Sequence, residues 1–452
     1  MGGNAFLLTT IKRRNLRLRQ KLTCLMVTVT LICMLSGCMF KTVEEMYSPP
    51  KRSEEYNNLQ AAIDTVMGGL NYCAPVQGEH QQTVQLADLT GDGQTEAVLF
   101  AKGTDERPLK VFVFAKVDGF YANIAKLEFT GTTFEQVEYA DLDGISGAEL
   151  VVGRRMGNEV LHSLSAYSFS GGVPDTILTT GYTRFLTTDL DSNGMREIFL
   201  LRPGSEEGNG VAELYHYREG TMERDTEAVM SMPVDRLKRI AAGGMYRNTQ
   251  AVFVASAYDS ETIITDVYAI INDTFTNVSL SNESGTSVKT VRSYYVYGDD
   301  IDGDGLIEIP SLVQDEAESW ALSQNLIRWY NLTPAGGEVE KAFTFHNYTQ
   351  RWYVQLDLSW MESIRVTRGN DLGQNVGYVF SVDGKELFTI YGLTGDDRQT
   401  VAQSDGRFIL NKTDEVTYAA SLGIAAHSVG LTQETLTQRF NFIQENWKTG
   451  ET

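Results

Sequence analysis

The stretch Ala87-Asp-Leu-Thr-Gly-Asp-Gly-Gln-Thr-Glu-Ala-Val-Leu-Phe100 decides the fold, because the chain repeats it. Three further copies begin at Ala140, Thr188 and Asp299. Each copy joins a short acidic loop to a following apolar run that is rich in β-branched and aromatic residues. The first loop aspartates of successive copies are 53, 48 and 111 residues apart, and the last interval is close to two periods.

The long interval predicts a degenerate copy that has lost its acidic loop. Thr249-Gln-Ala-Val-Phe-Val254 matches Thr95-Glu-Ala-Val-Leu-Phe100, whereas residues 242–247 contain no acid. We therefore predict a four-stranded sheet over about residues 238–285 and five units of about 50 residues in all. Four strands per unit at this period are typical of a β-propeller blade, which buries its faces against neighbouring blades. The sequence thus predicts a mainly β fold, with a β-propeller of about five four-stranded blades over residues 81–343.

Different elements are predicted on either side of the repeats. Apolar residues at helical spacing after Ser53, a candidate N-cap, predict an N-terminal helix within residues 53–80. After residue 343 the repeat stops, and we predict a small α+β module over residues 344–452. Its first strand is predicted from the alternation between Trp352 and Trp360, and its last helix begins after Thr432. The residues on the apolar face of that helix are Leu436, Phe440, Ile443 and Trp447. In the alternative interpretation, the first four strands of this region form a sixth blade.

The units resemble FG-GAP/VCBS repeats, the family that includes the calcium loops of integrin-alpha-like propellers. The resemblance covers about residues 80–345 and rests on the pattern Asp-x-Asp-x-Asp-Gly-x-x-Glu/Asp. It implies structural Ca²⁺ held by carboxylates at positions 1, 3, 5 and 9 and by a backbone carbonyl at position 7. The residues that it assigns as metal ligands are Asp300, Asp302, Asp304 and Glu308, then Asp189, Asp191, Asn193 and Glu197, then Asp88, Asp92 and Glu96.

The loops differ in how well their residues suit a cation, and we name them after their units: loop one (88–96), loop two (141–149), loop three (189–197) and loop five (300–308). Loop five has four carboxylates in nine residues, which repel one another unless a cation lies among them. Loop one has Thr90 in place of one carboxylate. In loop two, which carries Asp141, Asp143 and Glu149, Ile145 cannot ligate, so we expect a metal-free turn. Metal-free turns are the alternative for every loop, because Asp and Asn side chains can order a loop through backbone N–H groups.

The N-terminus predicts secretion and lipidation. Six Lys and Arg residues within 12–21 precede the uncharged stretch 22–37. This stretch closes on Leu35-Ser36-Gly37-Cys38, which resembles a bacterial lipobox. The resemblance implies a signal peptide over residues 1–37, acylation of Cys38 and a tether over residues 38–52. It also implies a protein anchored by lipid on the extracytoplasmic face of the cell membrane. An ordinary signal peptide or an N-terminal anchor is the alternative.

Charge and cysteine content limit the partners. Residues 38–452 carry 32 basic and 59 acidic side chains, for a net charge of −27. A surface of this charge repels phosphate backbones, so we expect no nucleic-acid partner. Cys24 and Cys33 lie in the predicted signal peptide, so acylation of Cys38 leaves only Cys73. An intramolecular disulfide is then impossible.

The motif content favours a binding function over catalysis. The chain has no His-Glu-x-x-His, Gly-x-Ser-x-Gly, Walker or Cys-x-x-Cys motif. We therefore predict a non-enzymatic lipoprotein whose propeller is an interaction platform for an unknown protein or glycan. The alternatives are a secreted propeller hydrolase, which would need further clustered acids, and a structural accessory subunit of an envelope complex.

Overall fold

Antiparallel β-structure makes up most of the molecule. The computed structural model describes residues 53–157, 161–204, 208–260, 262–293, 296–313, 325–373 and 375–443. The predicted signal peptide, Cys38 and the tether over residues 38–52 lie outside the described residues. Within them, no helix is both long and apolar enough to cross a membrane.

Three antiparallel sheets follow one another between residues 71 and 229, and their strands pair in chain order except that Asn71–Tyr72 and Val84–Ala87 both pair with Glu96–Lys102. The strands of sheet one are Asn71–Tyr72, Val84–Ala87, Glu96–Lys102, Leu109–Val117 and Phe120–Phe129. Those of sheet two are Thr133–Ala140, Glu149–Arg155, His162–Ser168 and Asp175–Tyr182. Those of sheet three are Arg184–Thr188, Glu197–Pro203, Gly210–Arg218 and Thr221–Val229.

Sheet four occupies the place of the degenerate copy. Its strands are Leu237–Tyr246, Thr249–Ala257, Thr262–Ile271, Thr274–Asn277 and the short Arg292–Ser293. The first four are paired in chain order, so the four-stranded sheet predicted over residues 238–285 is confirmed. The match between Thr249–Val254 and Thr95–Phe100 was therefore a sufficient signal for a strand, even without an acidic loop beside it.

Sheets five and six follow, and they overturn two of the C-terminal predictions. The strands of sheet five are Ile309–Leu312, Leu326–Leu332, Glu338–Asn347, Trp352–Leu356 and Phe440–Phe442. Those of sheet six are Ile364–Leu372, Asn375–Val382, Lys385–Leu393, Phe408–Lys412 and Thr417–Leu422. The predicted boundary between residues 343 and 344 falls inside Glu338–Asn347 and does not separate two structural units. The strand predicted from Trp352 to Trp360 ends at Leu356, because a 3₁₀ turn follows it, and it belongs to sheet five.

Helices are few and short in the described residues. The α-helices are Glu54–Val66, Arg398–Val401 and Gln433–Arg439, and the 3₁₀ turns are Val234–Arg236, Val288–Thr290, Leu358–Trp360 and Ala426–Val429. Thr432 caps the last α-helix as predicted, through its side chain and the N–H of Thr435. That helix is shorter than predicted. Phe440 leaves it to form a strand against Val354, so the predicted helical face through Ile443 is wrong.

Successive sheets pack face to face, which explains why their strands are apolar on both sides. In sheets one to three the strand that leaves the acidic loop is buried along most of its length. Separate cores fill the spaces between sheets one and two, two and three, three and four, four and five, and five and six. All six sheets lie in one unit, residues 62–452. The mainly β class is confirmed; no closed ring of sheets is found among the described residues, so the propeller stays a prediction.

Tight hairpins set the register of several sheets. In sheet one the turn residues Asp118 and Gly119 both have positive φ, +51° and +86°. Two central residues with positive φ form a type I′ turn, whose twist matches that of the strands it joins. Glu219-Gly220 in sheet three has the same signs of φ. In both sheets this hairpin joins the last two strands, and the first of these pairs with the strand that leaves the acidic loop.

Candidate cation-binding loops

A buried glutamate closes each of the four acidic loops in the same way. In every loop the residue at position 9 is a glutamate at or next to the start of the following strand, and this residue is at most 2% exposed. Its carboxylate accepts a hydrogen bond from the backbone N–H of position 2. The donor–acceptor pairs are Leu89–Glu96 (2.7 Å), Leu142–Glu149 (2.7 Å), Leu190–Glu197 (2.6 Å) and Ile301–Glu308 (3.1 Å). Four segments of the chain thus adopt one local structure.

The first aspartate of each loop accepts hydrogen bonds from the turn that follows it. In loop five, Gly303 N–H lies 2.8 Å from one carboxylate oxygen of Asp300, and Gly305 N–H lies 3.0 Å from the other. Asp88 in loop one has the same two partners at positions 4 and 6. These bonds order the loops without a cation, as the metal-free alternative requires. They also aim several carboxylates into a small space.

Loop five brings three aspartates together. Asp300, Asp302 and Asp304 each offer a carboxylate oxygen, and these atoms lie within 4.8 Å of one another. The ammonium group of Lys341, on the strand Glu338–Asn347, forms an ion pair with Asp304 and lies 3.9 Å from Asp302. Burial, together with the Asp304 charge, raises the pKa of Asp302, whereas the hydrogen bond from Lys341 lowers the pKa of Asp304. The cluster thus already attracts a positive charge.

Glu308 has a different environment from the three aspartates. It is buried and accepts hydrogen bonds from Ile301 N–H and from the Asn331 side chain at 2.7 Å. Burial raises the pKa of Glu308 to about 7. Glu308 is not part of the group of three, although the resemblance assigns it as a ligand. Its evident role is to hold the loop closed.

Loop three brings carboxylates together with a histidine that was not among the predicted ligands. Asp191 and Glu197 share their group with His216, which comes from the third strand of sheet three. The Nδ1 atom of His216 lies 3.6 Å from Glu197, and its Nε2 atom lies 3.9 Å from Asp225. The other two predicted ligands are Asp189 and Asn193. The backbone N–H of Asn193 donates a hydrogen bond to the Asp189 carboxylate at 3.0 Å. A cavity of about 300 Å³ opens beside these residues.

Loop two contains a carboxylate group that we did not expect. Asp141, Asp143 and Glu149 offer oxygens within 4.8 Å of one another, although Ile145 has no ligating atom. Burial raises the pKa of Glu149 to about 7, and Ser168 hydrogen-bonds to this carboxylate. Ser168 also donates to Asp143 at 3.1 Å. We expected no cluster because Ile145 occupies position 5, but the carboxylates at positions 1, 3 and 9 come together without it.

Loop one has Thr90 at position 3, and its three predicted ligands are not clustered. Glu96 accepts from Leu89 N–H and from the Thr90 hydroxyl at 3.3 Å, and Asp92 accepts from Gln94 N–H at 2.8 Å. Within the described stretch 53–157, Asp88, Asp92 and Glu96 do not form a group like those of the other loops. The predicted ligands of loop one are thus spread around the turn.

The loops are also joined to one another by backbone hydrogen bonds, which form a ladder across successive sheets. Ala148 N–H in loop two donates to the carbonyl of Asp88 in loop one at 2.8 Å. Arg196 N–H in loop three donates to the carbonyl of Asp141 at 2.7 Å. Ile307 N–H in loop five donates to the carbonyl of Gly244 in sheet four at 2.7 Å. The acidic loops of sheets one, two and three therefore lie side by side at one edge.

The donor chemistry of loop five fits a hard cation. Carboxylate oxygens on a flexible glycine-containing loop suit Ca²⁺, which accepts six to eight oxygens in irregular geometry. The cavity near loop three offers an imidazole nitrogen as well, which softer ions favour. Sequence reasoning missed His216, Ser168, Asn331 and Lys341, because they lie on later strands. A prediction of the strand register would have placed His216, Ser168 and Asn331 opposite the loop glutamates.

Comparisons with known proteins give no family. No protein-family model matches the chain, and no curated protein matches it. Among solved structures it is similar to rhamnogalacturonan lyase YesW, with a TM-score of 0.31 and 13% identity, over 67% of this chain and 63% of the lyase. It is also similar to a PL11 rhamnogalacturonan lyase of Bacillus licheniformis (TM-score 0.26, 12% identity) and to the exotype lyase YesX (0.25, 11%). Both of these cover 70% of this chain and 71% of the lyase. At TM-scores this low, the similarity carries no argument about function.

Proposed function

We propose that this protein is a lipoprotein of the extracytoplasmic membrane face whose successive sheets form a calcium-stabilised β-propeller and an interaction platform. The observation that carries the proposal is the repeated loop structure, with one glutamate–backbone bond in four loops and a hydrogen-bonded ladder between them. A row of acidic loops at one edge gives a rigid, strongly negative surface. Such a surface suits a partner that binds through cations or basic groups.

Loop five supports the calcium part of the proposal best. Its three aspartates converge, and Lys341 already forms an ion pair with one of them. Bound Ca²⁺ would neutralise the repulsion between these carboxylates. Asp300, Asp302 and Asp304 are exposed, so an ion could reach them from solvent.

The anchor part of the proposal rests on the lipobox resemblance at Cys38. Its test is metabolic lipid labelling of the unmodified chain and of Cys38→Ala. We expect the variant to lose the label and to keep its signal peptide. Equal labelling of the two proteins would contradict the anchor.

The platform part is tested by affinity capture from native membranes with the full-length protein. We expect a partner that is retained in millimolar Ca²⁺ and released by a chelator. The double variant Asp302→Ala with Asp304→Ala is the matched control and should lose the same partner in Ca²⁺. Capture that is identical with ion and with chelator would contradict a calcium-stabilised platform.

A further inference from the structure

In each of the four sheets that carry an acidic loop, one strand position lies opposite the buried glutamate of that loop. In sheet three Ile198 pairs with Tyr215, which places His216 opposite Glu197. The same register places Ser168 opposite Glu149, and Asn331 opposite Glu308. In sheet one, Ala97 pairs with Phe114, which places Ala115 opposite Glu96. The residues at this position are thus alanine, serine, histidine and asparagine, and among these four only His216 offers a nitrogen ligand.

The histidine lies within a set of possible ligands from three separate elements. Asp191 comes from the exposed part of loop three, Glu197 from the buried start of the second strand, and His216 from the third strand. One donor atom of each lies within 4.8 Å of the others. Glu197 is held from behind by Leu190 N–H at 2.6 Å, so its second oxygen faces His216.

The second nitrogen of His216 has a carboxylate beside it. Nε2 lies 3.9 Å from Asp225, on the fourth strand, and Arg218 lies 3.9 Å from the other oxygen of Asp225. Histidine ligands of metals commonly donate their far N–H to a carboxylate, which fixes the tautomer and the ring orientation. Glu197, His216 and Asp225 lie in this order across one sheet, and Asp225 is the carboxylate beside Nε2; at 3.9 Å it would have to move closer to accept that hydrogen bond.

We propose that loop three is a binding site for a divalent transition-metal ion of the zinc class, held by Asp191, Glu197 and Nδ1 of His216. One imidazole and two carboxylates are ligands that Zn²⁺ takes in four-coordinate sites. Asp191, Glu197 and His216 all line the cavity of about 300 Å³, which would leave room for water or a small anionic ligand as the fourth ligand. Loop three then differs from loop five, where the facing residue is Asn331 and the donors are oxygens only.

The inference deepens the proposed function by giving loop three an ion other than Ca²⁺, and it does not depend on the calcium of loop five. The experiment is calorimetric titration of the full-length protein in detergent with Zn²⁺ and, separately, with Ca²⁺. The key variant is His216→Asn, which copies the residue of sheet five at the same position. A matched control, His427→Asn, removes an exposed histidine from a 3₁₀ turn.

We expect one Zn²⁺ site in the unmodified protein, weakened at least tenfold by His216→Asn and unchanged by His427→Asn. Asp225→Asn should weaken it by about tenfold, as for other second partners of metal-bound histidines. X-ray absorption of the Zn²⁺-loaded protein should contain imidazole scattering, which a purely structural His216 would not produce. Circular dichroism of each variant checks that the sheets are intact.

The outcomes separate this inference from the proposed function. Zn²⁺ binding that is the same in His216→Asn overturns the inference, as does a spectrum without imidazole. A second outcome overturns the inference alone. In it, the unmodified protein binds Ca²⁺ but no Zn²⁺, and the double variant Asp302→Ala with Asp304→Ala loses the Ca²⁺ binding. Failure to bind either ion contradicts both.

Discussion

The first four strands of sheets three and four have the same order, but the connection between the first two strands differs. In sheet three an acidic loop of eight residues, 189–196, joins the first two strands, and the buried Glu213 on the third strand is paired with Arg202 and Arg224. Sheet four joins the corresponding strands, Leu237–Tyr246 and Thr249–Ala257, through only Arg247 and Asn248. Without an acidic loop, sheet four has a fully buried aspartate, Asp266, on its third strand.

The carboxylate of the buried Asp266 in sheet four accepts four hydrogen bonds. The donors are Ser231 N–H (2.8 Å), the Ser231 hydroxyl (2.5 Å), Asn277 (2.9 Å) and the Ser287 hydroxyl (2.6 Å). These partners come from segments before and after the strand. The comparison teaches that one architecture can be held at its edge, where an ion can help, or from inside, where protein donors suffice.

The largest expected effect is on the internal network. Asp266→Ala leaves three side chains and one backbone N–H of a buried site without their acceptor. Buried donors of this kind cost about 1–3 kcal/mol each, and partial relaxation reduces the sum, so we expect a loss of about 4 kcal/mol of unfolding free energy. Denaturant unfolding measures it. The exposed control Glu283→Ala should stay within about 0.5 kcal/mol. A loss below about 1 kcal/mol for Asp266→Ala would remove the contrast between the two sheets.

The second prediction concerns the buried His346 in sheet five. This sheet has both an acidic loop and buried polar side chains. His346 is fully buried beside Thr344, and burial lowers its pKa from 6.5 to about 3. The folded protein therefore keeps His346 neutral, so its stability is complete above about pH 6.5. Below that pH the unfolded chain binds the proton, and the contribution of His346 to stability falls by about 1.4 kcal/mol per pH unit, or about 2 kcal/mol by pH 5. Glu149 and Glu308, whose pKa values burial raises to about 7, contribute with the opposite sign, so the effect of His346 is the difference between the variant and the unmodified protein.

Unfolding free energies at pH 7 and pH 5 check this prediction. His346→Gln should lose less stability over this range than the unmodified protein, because it has no group to protonate there. His427→Gln, at an exposed position, should keep the unmodified slope. If His346→Gln has that slope too, the acid sensitivity comes from elsewhere.

Calcium should have a smaller effect, confined to the edge of the sheets. Binding only to the folded state adds about 1.4 kcal/mol per site at ten times Kd, which corresponds to a rise of about one to three degrees in Tm. Thermal unfolding in millimolar Ca²⁺ and in chelator measures it. Asp302→Ala with Asp304→Ala should remove the largest part of the rise, and Asp92→Ala in loop one should remove little. Superimposable melting curves in the two buffers would mean metal-free turns.

The smallest expected effect sharpens the account of loop five. Lys341 competes with a cation for Asp302 and Asp304, because its ammonium group lies beside both. Lys341→Gln should raise Ca²⁺ affinity about fivefold, since a unit charge at about 4 Å in water contributes about 1 kcal/mol. Calorimetry gives the affinity, with the exposed Lys412→Gln as control. A lower affinity in Lys341→Gln would show that the lysine supports the cation-binding geometry instead.

The sequence predicted what is local and missed what depends on register. The loops and their flanking strands follow from short-range pattern, and even the acid-free strand Thr249–Ala257 was found this way. His216 is 19 residues from Glu197, and its position opposite that glutamate depends on the length of a hairpin. The helix predicted through Phe440 failed for a related reason. Pairing with Trp352–Val354, more than 80 residues earlier, outweighs the helical spacing of its apolar residues.

The ladder of backbone bonds between loops has a consequence for how the edge responds to ions. Because Ala148 donates to Asp88 and Arg196 donates to Asp141, the conformation of one loop fixes one boundary of the next. Ordering one loop therefore lowers the entropy that its neighbour must lose when it binds. An ion bound at loop three would order loop two, and loop two would order loop one, so ions at these three loops would not bind independently. Loop five donates to Gly244 of sheet four, which has no acidic loop, and lies outside this row. The edge formed by loops one to three would then respond to its ionic surroundings as a unit.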